Sequence, residues 1–245
     1  MKYPTYHRNH VILPGREQAL DEFLNASIIQ NGKEIKHKLQ YADNSNSEDA
    51  LTWSCFDVLR KQPKEKVAVA LDEIFEDAFG DFKEKKKPVP QDITFADEKN
   101  IEIHIGNNNY KAVSVGEDTE VDASIETDSK LIFIEAKLYT KISLPDDKMP
   151  HDQIIRKLRV GLDIANASNR EFYFLFLDIA PCDKILKYGE QKEISARRFL
   201  QYRNHPETLV KQLIDVPYQT VEQVAQNMGW LTWACLFKTV LRTIM

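Results

Sequence analysis

Residues 120–137, with the sequence EVDASIETDSKLIFIEAK, decide how the middle of this 245-residue chain is expected to fold. Apolar and β-branched residues on either side of Thr127-Asp128-Ser129 predict two strands, at residues 121–126 and 130–138, joined by a tight turn. If Asp128 and Ser129 form a two-residue turn, Thr127 pairs with Lys130, and the same register continued along the strands places Asp122 opposite Glu135. The hairpin is therefore expected to bring two carboxylates together.

These two carboxylates indicate a site for a cation. Strand alternation puts Glu135 and Lys137 on one face, and Asp122 joins them as the cross-strand partner of Glu135. Carboxylates about 5 Å apart at an effective dielectric near 20 repel by roughly 3 kcal/mol. Mg²⁺ prefers such oxygen ligands, and the added lysine favours metal-assisted phosphodiester hydrolysis. With these acids at one point and one lysine to offset them, removal of Glu135 is expected to relieve repulsion in the metal-free protein.

The competing interpretation is a solvated salt bridge at the end of a strand. The pattern acid-x-Lys occurs eight times in the chain, so the pattern alone carries no information. Only Glu135-Ala136-Lys137 follows a strongly apolar strand, at residues 131–134, which is apolar on both faces and is therefore expected to be central. A charged end to a central strand is what favours the functional interpretation.

The rest of the chain predicts a single α/β domain. Apolar periodicity predicts helices over residues 16–26, 47–60, 64–79 and 150–167. Alternating or continuous apolar runs predict strands over residues 101–105, 111–115 and 171–178. Residues 81–92 are expected to form an exposed linker. This order of helices and strands predicts a sandwich around a central mixed β-sheet flanked by helices, with helical extensions at residues 1–44 and 181–245.

Three features of the sequence resemble the PD-(D/E)XK nuclease superfamily, which includes many restriction and repair endonucleases. Asp122 precedes Glu135-Ala136-Lys137, which closes an apolar strand. Residues 47–53, SEDALTW, resemble the first core helix of many members, and Gln153 lies where several relatives have a glutamine after the motif lysine. The resemblance covers about residues 45–180, and Val121 replaces the motif proline.

The resemblance implies a restriction-endonuclease-like fold and a metal-dependent nuclease, with DNA as the substrate. It implies that Mg²⁺ or Mn²⁺ is held by Asp122, Glu135, Glu48 and the backbone carbonyl of Ala136. Lys137 would orient the attacking water and offset charge at phosphorus.

Several polar residues on the predicted helix after the hairpin are candidates for holding the phosphate backbone. The alternative is an ordinary solvated helix face, and for Glu48 the alternative is a favourable interaction with a helix N-terminus. The candidates on the later helix are Gln153, Arg156, Lys157 and Arg159.

Composition excludes several other classes of protein. The eight glycines are scattered and form neither GxGxxG nor GxxxxGK, which argues against P-loop and dinucleotide-binding proteins. The three cysteines are far apart, so we expect no disulfide framework and a reducing compartment. Residues 1–13 contain no apolar run, and residues 230–245 are too short to span a bilayer. A cytoplasmic protein without a membrane partner is therefore expected. The net charge of −5 neither favours nor excludes nucleic acid.

Two other functions remain open. The same fold could serve as a catalytically silent nucleic-acid-binding or assembly module, although the intact Asp122, Glu135 and Lys137 argue against this. A purely structural interaction protein would be consistent with the acidic charge and the apolar C-terminal helix. Trp230 and Trp233 are expected to lie in the core or at a homodimer contact rather than to stack on bases.

Overall fold

The computed structural model describes residues 28–30, 33–35, 48–106, 109–147 and 149–245. The helix predicted over residues 16–26 lies outside the described residues, as does most of the predicted extension at 1–44. Two short strands are described in that extension, β1 (Ile28–Gln30) and β2 (Lys33–Ile35), and they pair antiparallel. This part of the extension is therefore a strand pair and not a helix.

Seven further strands follow along the chain. They are β3 (Ile101–Ile105), β4 (Asn109–Ala112), β5 (Glu117–Glu120), β6 (Ala123–Thr127), β7 (Lys130–Ala136), β8 (Glu171–Asp178) and β9 (Met228–Thr232). The central sheet has five strands in the order β3-β6-β7-β8-β9, while β4 and β5 form a separate antiparallel pair. Strands β3, β6 and β7 are antiparallel neighbours, and β7, β8 and β9 are parallel. The predicted central mixed sheet is confirmed.

Helices cover both faces of this sheet, which confirms the predicted mixed α/β class. They are α1 (Glu48–Arg60), α2 (Lys64–Glu84), α3 (Gln153–Ala167), α4 (Cys182–Tyr188), α5 (Glu193–Asn204), α6 (Val221–Gln226) and α7 (Trp233–Ile244). Along β7, Ile132 and Ile134 belong to the apolar core with α1, α2 and α7. Leu131 and Phe133 belong to the second core, with α3 and α5. Strand alternation thus sorts the side chains between two layers.

The hairpin β6–β7 has the register that the sequence predicts. Ala123 pairs with Ile134 and Glu126 with Leu131, so extension of the same register places Asp122 beside Glu135. The turn is held by Thr127, whose Oγ1 accepts a hydrogen bond from the backbone N–H of Lys130 at 2.8 Å. The position of the turn therefore fixes which charged residues meet at the other end of the hairpin.

Strand β9 is the main departure from the predicted architecture. It lies within residues 181–245, which were expected to be helical, and it adds an edge strand to the central sheet. Its apolar run is too short for periodicity to separate a strand from a buried helix. Trp230 and Trp233 are both 5% exposed, which confirms that they belong to the core.

Helix α2 also differs from its predicted length. It ends at Glu84, so the expected linker at 81–92 begins as helix. Phe82 explains the extension, because its side chain is buried and packs against Phe199 with ring centroids 6.3 Å apart. Cys55, Cys182 and Cys235 form no disulfide. None of the helices in the described part of the chain is long and apolar enough to cross a membrane.

Candidate functional site

The candidate site lies where the parallel strands β7 and β8 end side by side. The backbone N–H of Lys137 donates to the carbonyl of Leu177 at 2.7 Å, so the two strands remain paired one residue beyond the end of β7. The carboxyl ends of parallel strands are a common position for binding sites in α/β proteins. Here the same edge carries Glu135, Lys137 and Asp178.

Glu135 lies between two ammonium groups. Its side chain is completely buried, with Oε1 at 2.5 Å from Nζ of Lys137 and Oε2 at 2.8 Å from Nζ of Lys157. Both contacts are short ion pairs between buried groups. Burial opposes ionisation of Glu135, but the two lysines outweigh it and lower its pKa to about 2. Glu135 is therefore a carboxylate at neutral pH.

Asp122 has the opposite electrostatic environment. It lies at the bend before β6, and its Oδ2 accepts a hydrogen bond from the backbone N–H of Ala136 at 2.8 Å. Removal of the carboxyl group from water, followed by repulsion from Glu135, raises its pKa to about 7, although Lys137 and Lys157 act against the rise. The structure thus brings the two acids close enough to repel, and one of them responds by holding its proton more tightly.

Glu48 reaches the site from α1, on the face of the sheet opposite to α3, which carries Lys157. It begins α1, and its Oε1 lies 3.3 Å from Nζ of Lys137. Its Oε2 accepts hydrogen bonds from the backbone N–H of Leu138 at 3.1 Å and from Thr140 at 2.9 Å. Glu48 therefore points at the cluster rather than into bulk solvent, and it ties the segment after β7 to α1.

The oxygen atoms around Lys137 suit a hard cation. Its ammonium contacts Glu135 and Glu48, and it donates to the carbonyl oxygen of Ala136 at 3.1 Å. These are three of the four groups predicted to hold the metal. The Lys137 ammonium therefore lies where the metal ion is expected. Within the described ranges, no three acidic, histidine or cysteine side chains lie close enough together to form a metal site. Mg²⁺ commonly uses only one or two carboxylates with water and phosphate, which this donor set can supply.

A second buried ion pair adjoins the site. Asp178 ends β8 and is fully buried, and its Oδ1 lies 2.6 Å from Nζ of Lys192. The same ammonium donates to the carbonyl of Leu138 at 2.7 Å. Burial raises the pKa of Asp178. This pair was not predicted from the sequence, although the acid at the end of the apolar run at 171–178 is a visible signal. No local pattern marks Lys192.

The residues predicted to hold phosphate make contacts within the protein, but with different partners. Gln153 accepts from the backbone N–H of Ser143 at 3.2 Å, and Arg156 donates to the Ser143 hydroxyl at 2.7 Å, so both fasten the loop that leaves the site. Lys157 is only 3% exposed and faces Glu135, which differs from the expected solvent-facing position. It also donates to the carbonyl of Glu120 at 2.6 Å.

Arg159 is a structural tie within the fold. Its guanidinium forms a bidentate contact with Glu117 and donates to the carbonyls of Gln212 and Ile214 at 2.8 and 2.9 Å. The residue is 7% exposed. Its donors are thus directed to the protein, and it joins α3 to β5 and to the segment before α6.

No family model, curated protein or solved structure matches this chain. The geometry of the charged cluster must therefore carry any argument about function.

Proposed function

We propose that the protein is a metal-dependent nuclease with a restriction-endonuclease-like fold, and that DNA is its substrate. One observation carries the proposal: an ammonium group lies where Glu135, Glu48 and the carbonyl of Ala136 converge at the end of a central strand. Carboxylate and carbonyl oxygens are also ligands of Mg²⁺, which commonly uses one or two protein carboxylates with water and phosphate. The resemblance of this segment to nuclease motifs supports the choice of reaction.

In this proposal, Glu135, Glu48 and the Ala136 carbonyl, which already converge on the Lys137 ammonium, hold Mg²⁺ or Mn²⁺, and binding of the ion would draw Asp122 in as the remaining ligand. The bound ion would polarise the phosphate and lower the pKa of water. Lys137 would orient the attacking water and offset the negative charge that develops at phosphorus. Lys157 would keep Glu135 ionised and in position, because it contacts the second oxygen of that carboxylate. Gln153 and Arg156 would position the loop around Ser143 next to the substrate.

A catalytically silent nucleic-acid-binding or assembly module is the second candidate. Two lysines already neutralise Glu135, so the cluster is electrostatically satisfied without a metal. Such a cluster can persist as a buried structural ion pair. The third expectation, a purely structural interaction protein, has no comparable observation in its favour.

Cleavage assays with a variant that keeps the fold test this proposal. Purified protein is incubated with supercoiled plasmid and with labelled oligonucleotides in Mg²⁺, in Mn²⁺ and in EDTA. We expect metal-dependent cleavage by the wild type and none by Asp122→Asn, which conserves shape and can still accept the hydrogen bond from Ala136. Asp128→Asn, in the exposed turn of the same hairpin, is the matched control and should cleave normally. DNA binding in EDTA without cleavage in Mn²⁺ would instead favour the silent module.

A further inference from the structure

The two lysines at Glu135 differ in what else they touch. Among the described residues, the Lys137 ammonium contacts three groups, all of them proposed metal donors: Glu135, Glu48 and the carbonyl of Ala136. The Lys157 ammonium contacts Glu135 but is also fastened to the carbonyl of Glu120 at 2.6 Å, which is outside the donor set. A divalent ion at the donors therefore competes directly with Lys137, whereas Lys157 keeps an anchor of its own.

From this asymmetry we infer that the site works by cation exchange. A divalent metal displaces the ammonium of Lys137 from Glu135 and Glu48, while Lys157 stays on the other oxygen of Glu135 as a fixed counter-charge. This inference rests on the proposed function and adds to it a mobile lysine and a positioning lysine. Lys157 is the positioning residue, because it acts on the metal only through Glu135.

Charge and geometry favour this division of roles. Lys137 follows the last residue of β7, and the three contacts of its ammonium are all with proposed metal donors, so displacement by a metal breaks no contact outside the site. Lys157 projects from the second turn of α3, and although the two lysines are similarly buried, only Lys157 also holds the Glu120 carbonyl. A carboxylate that lost both lysines would be held only by the metal, whereas one that keeps Lys157 remains oriented. The displaced ammonium is then available for a phosphate oxygen.

Exchange also predicts that Lys137 lowers the affinity of the site for metal, because the metal must displace its ammonium. Removal of the Lys137 ammonium vacates three donor contacts and removes a positive charge at the metal position. Lys137→Met should therefore bind Mn²⁺ more tightly than the wild type, by about tenfold or more. The same variant should not cleave DNA. Tighter metal binding together with lost cleavage is the signature that distinguishes exchange from a merely structural lysine.

Isothermal titration calorimetry with Mn²⁺ alone measures this effect on four proteins: the wild type, Lys137→Met, Glu135→Gln and Lys192→Met. Lys192→Met removes an equal charge from a buried pair beside the site, but Lys192 contacts Asp178 and the Leu138 carbonyl rather than any proposed donor. Its gain in affinity should therefore be smaller than that of Lys137→Met. Glu135→Gln should bind Mn²⁺ much more weakly than the wild type.

Lysine acylation of the wild type gives a second readout that needs no variant. The protein is treated with an amine-reactive ester in EDTA and in Mn²⁺, and labelling is followed by peptide mass spectrometry. Mn²⁺ should speed labelling of Lys137 several-fold and leave Lys157 protected.

The results separate this inference from the proposed function. If Mn²⁺ binds in a Glu135-dependent manner but Lys137→Met gains no affinity and Lys137 stays protected, exchange is wrong while the nuclease proposal stands. Labelling of Lys157 instead of Lys137 would reverse the assigned roles and overturn the inference. If no protein binds Mn²⁺, both proposals fail.

Discussion

Asp122→Asn should make the protein more stable at alkaline pH, and the gain should disappear in acid. The pKa of Asp122 is raised from 3.8 to about 7 in the folded protein, chiefly because its carboxyl group is removed from water. The folded state therefore binds this proton more tightly than the unfolded chain. The stability it contributes is fully present below pH 4 and is lost as the pH rises through 7. Asparagine stays neutral throughout, so it escapes that loss.

The size of the effect follows from the shift. A shift of about three pKa units at roughly 1.4 kcal/mol each gives an upper limit of about 4 kcal/mol at pH 8. The carboxyl group itself is removed from water, but the residue as a whole keeps some exposure at the bend before β6, so solvent screening should reduce this to about 2 kcal/mol. The side-chain amide of the asparagine in Asp122→Asn can still accept the hydrogen bond from the Ala136 N–H through its carbonyl oxygen.

Urea unfolding at pH 5, 6, 7 and 8 measures the difference between Asp122→Asn and the wild type. The pKa of Glu135 is lowered, so its titration falls below this range and leaves the difference unaffected. Asp128→Asn is the control, since hydrogen bonds from Asn100 lower the pKa of this exposed residue and its curve should run parallel to that of the wild type. Parallel curves for Asp122→Asn and the wild type from pH 5 to pH 8 would refute the argument.

Three further substitutions test the surroundings of the site by chemical unfolding at pH 7. Glu135→Gln should lose about 3–5 kcal/mol, because two buried ammonium groups lose their carboxylate; a loss below 1 kcal/mol would mean that the ion pairs are not formed. Trp233→Phe should lose about 1–2 kcal/mol, since its indole N–H donates to the carbonyl of Lys137 at 3.0 Å, and an unchanged midpoint would contradict this. Gly229→Ala should lose about 1–3 kcal/mol, because a Cβ there would lie 2.7 Å from Cδ2 of Leu175 and 3.1 Å from Cβ of Ala78; equal stability would show that the Leu175 side chain turns aside without cost.

The hairpin was predictable because local rules determine it. Turn residues at Asp128-Ser129 set the register, and the register decides that Asp122 meets the end of β7. The roles of Lys157 and Lys192 were not predictable in this way. Each lies on a later element and meets its acid only through packing of that element on the sheet, and no spacing in the sequence encodes that contact.

The structure reverses the expected effect of removing Glu135. The sequence placed acids together with one lysine, so loss of Glu135 was expected to relieve repulsion. Lys157, contributed by α3, supplies a second positive charge at 2.8 Å from Oε2. With two lysines against Glu135, attraction outweighs repulsion, and loss of the carboxylate becomes destabilising. The expected effect of removing Glu135 on stability therefore changes from a gain to a loss, because the ammonium of Lys157 comes from a helix that is distant in sequence.

Stability alone is a poor explanation for this buried cluster. Glu135 is 0% exposed, and Lys137 and Lys157 are 5% and 3% exposed, so three charges have been removed from water. Replacement of buried ion pairs by apolar residues of similar volume is often neutral or stabilising, by about 1–4 kcal/mol. Leu131 and Phe133 show that the same face of β7 accepts apolar side chains. A strand selected for packing could therefore have ended in another apolar residue, and its charged end supports a chemical role for the site over a purely structural one.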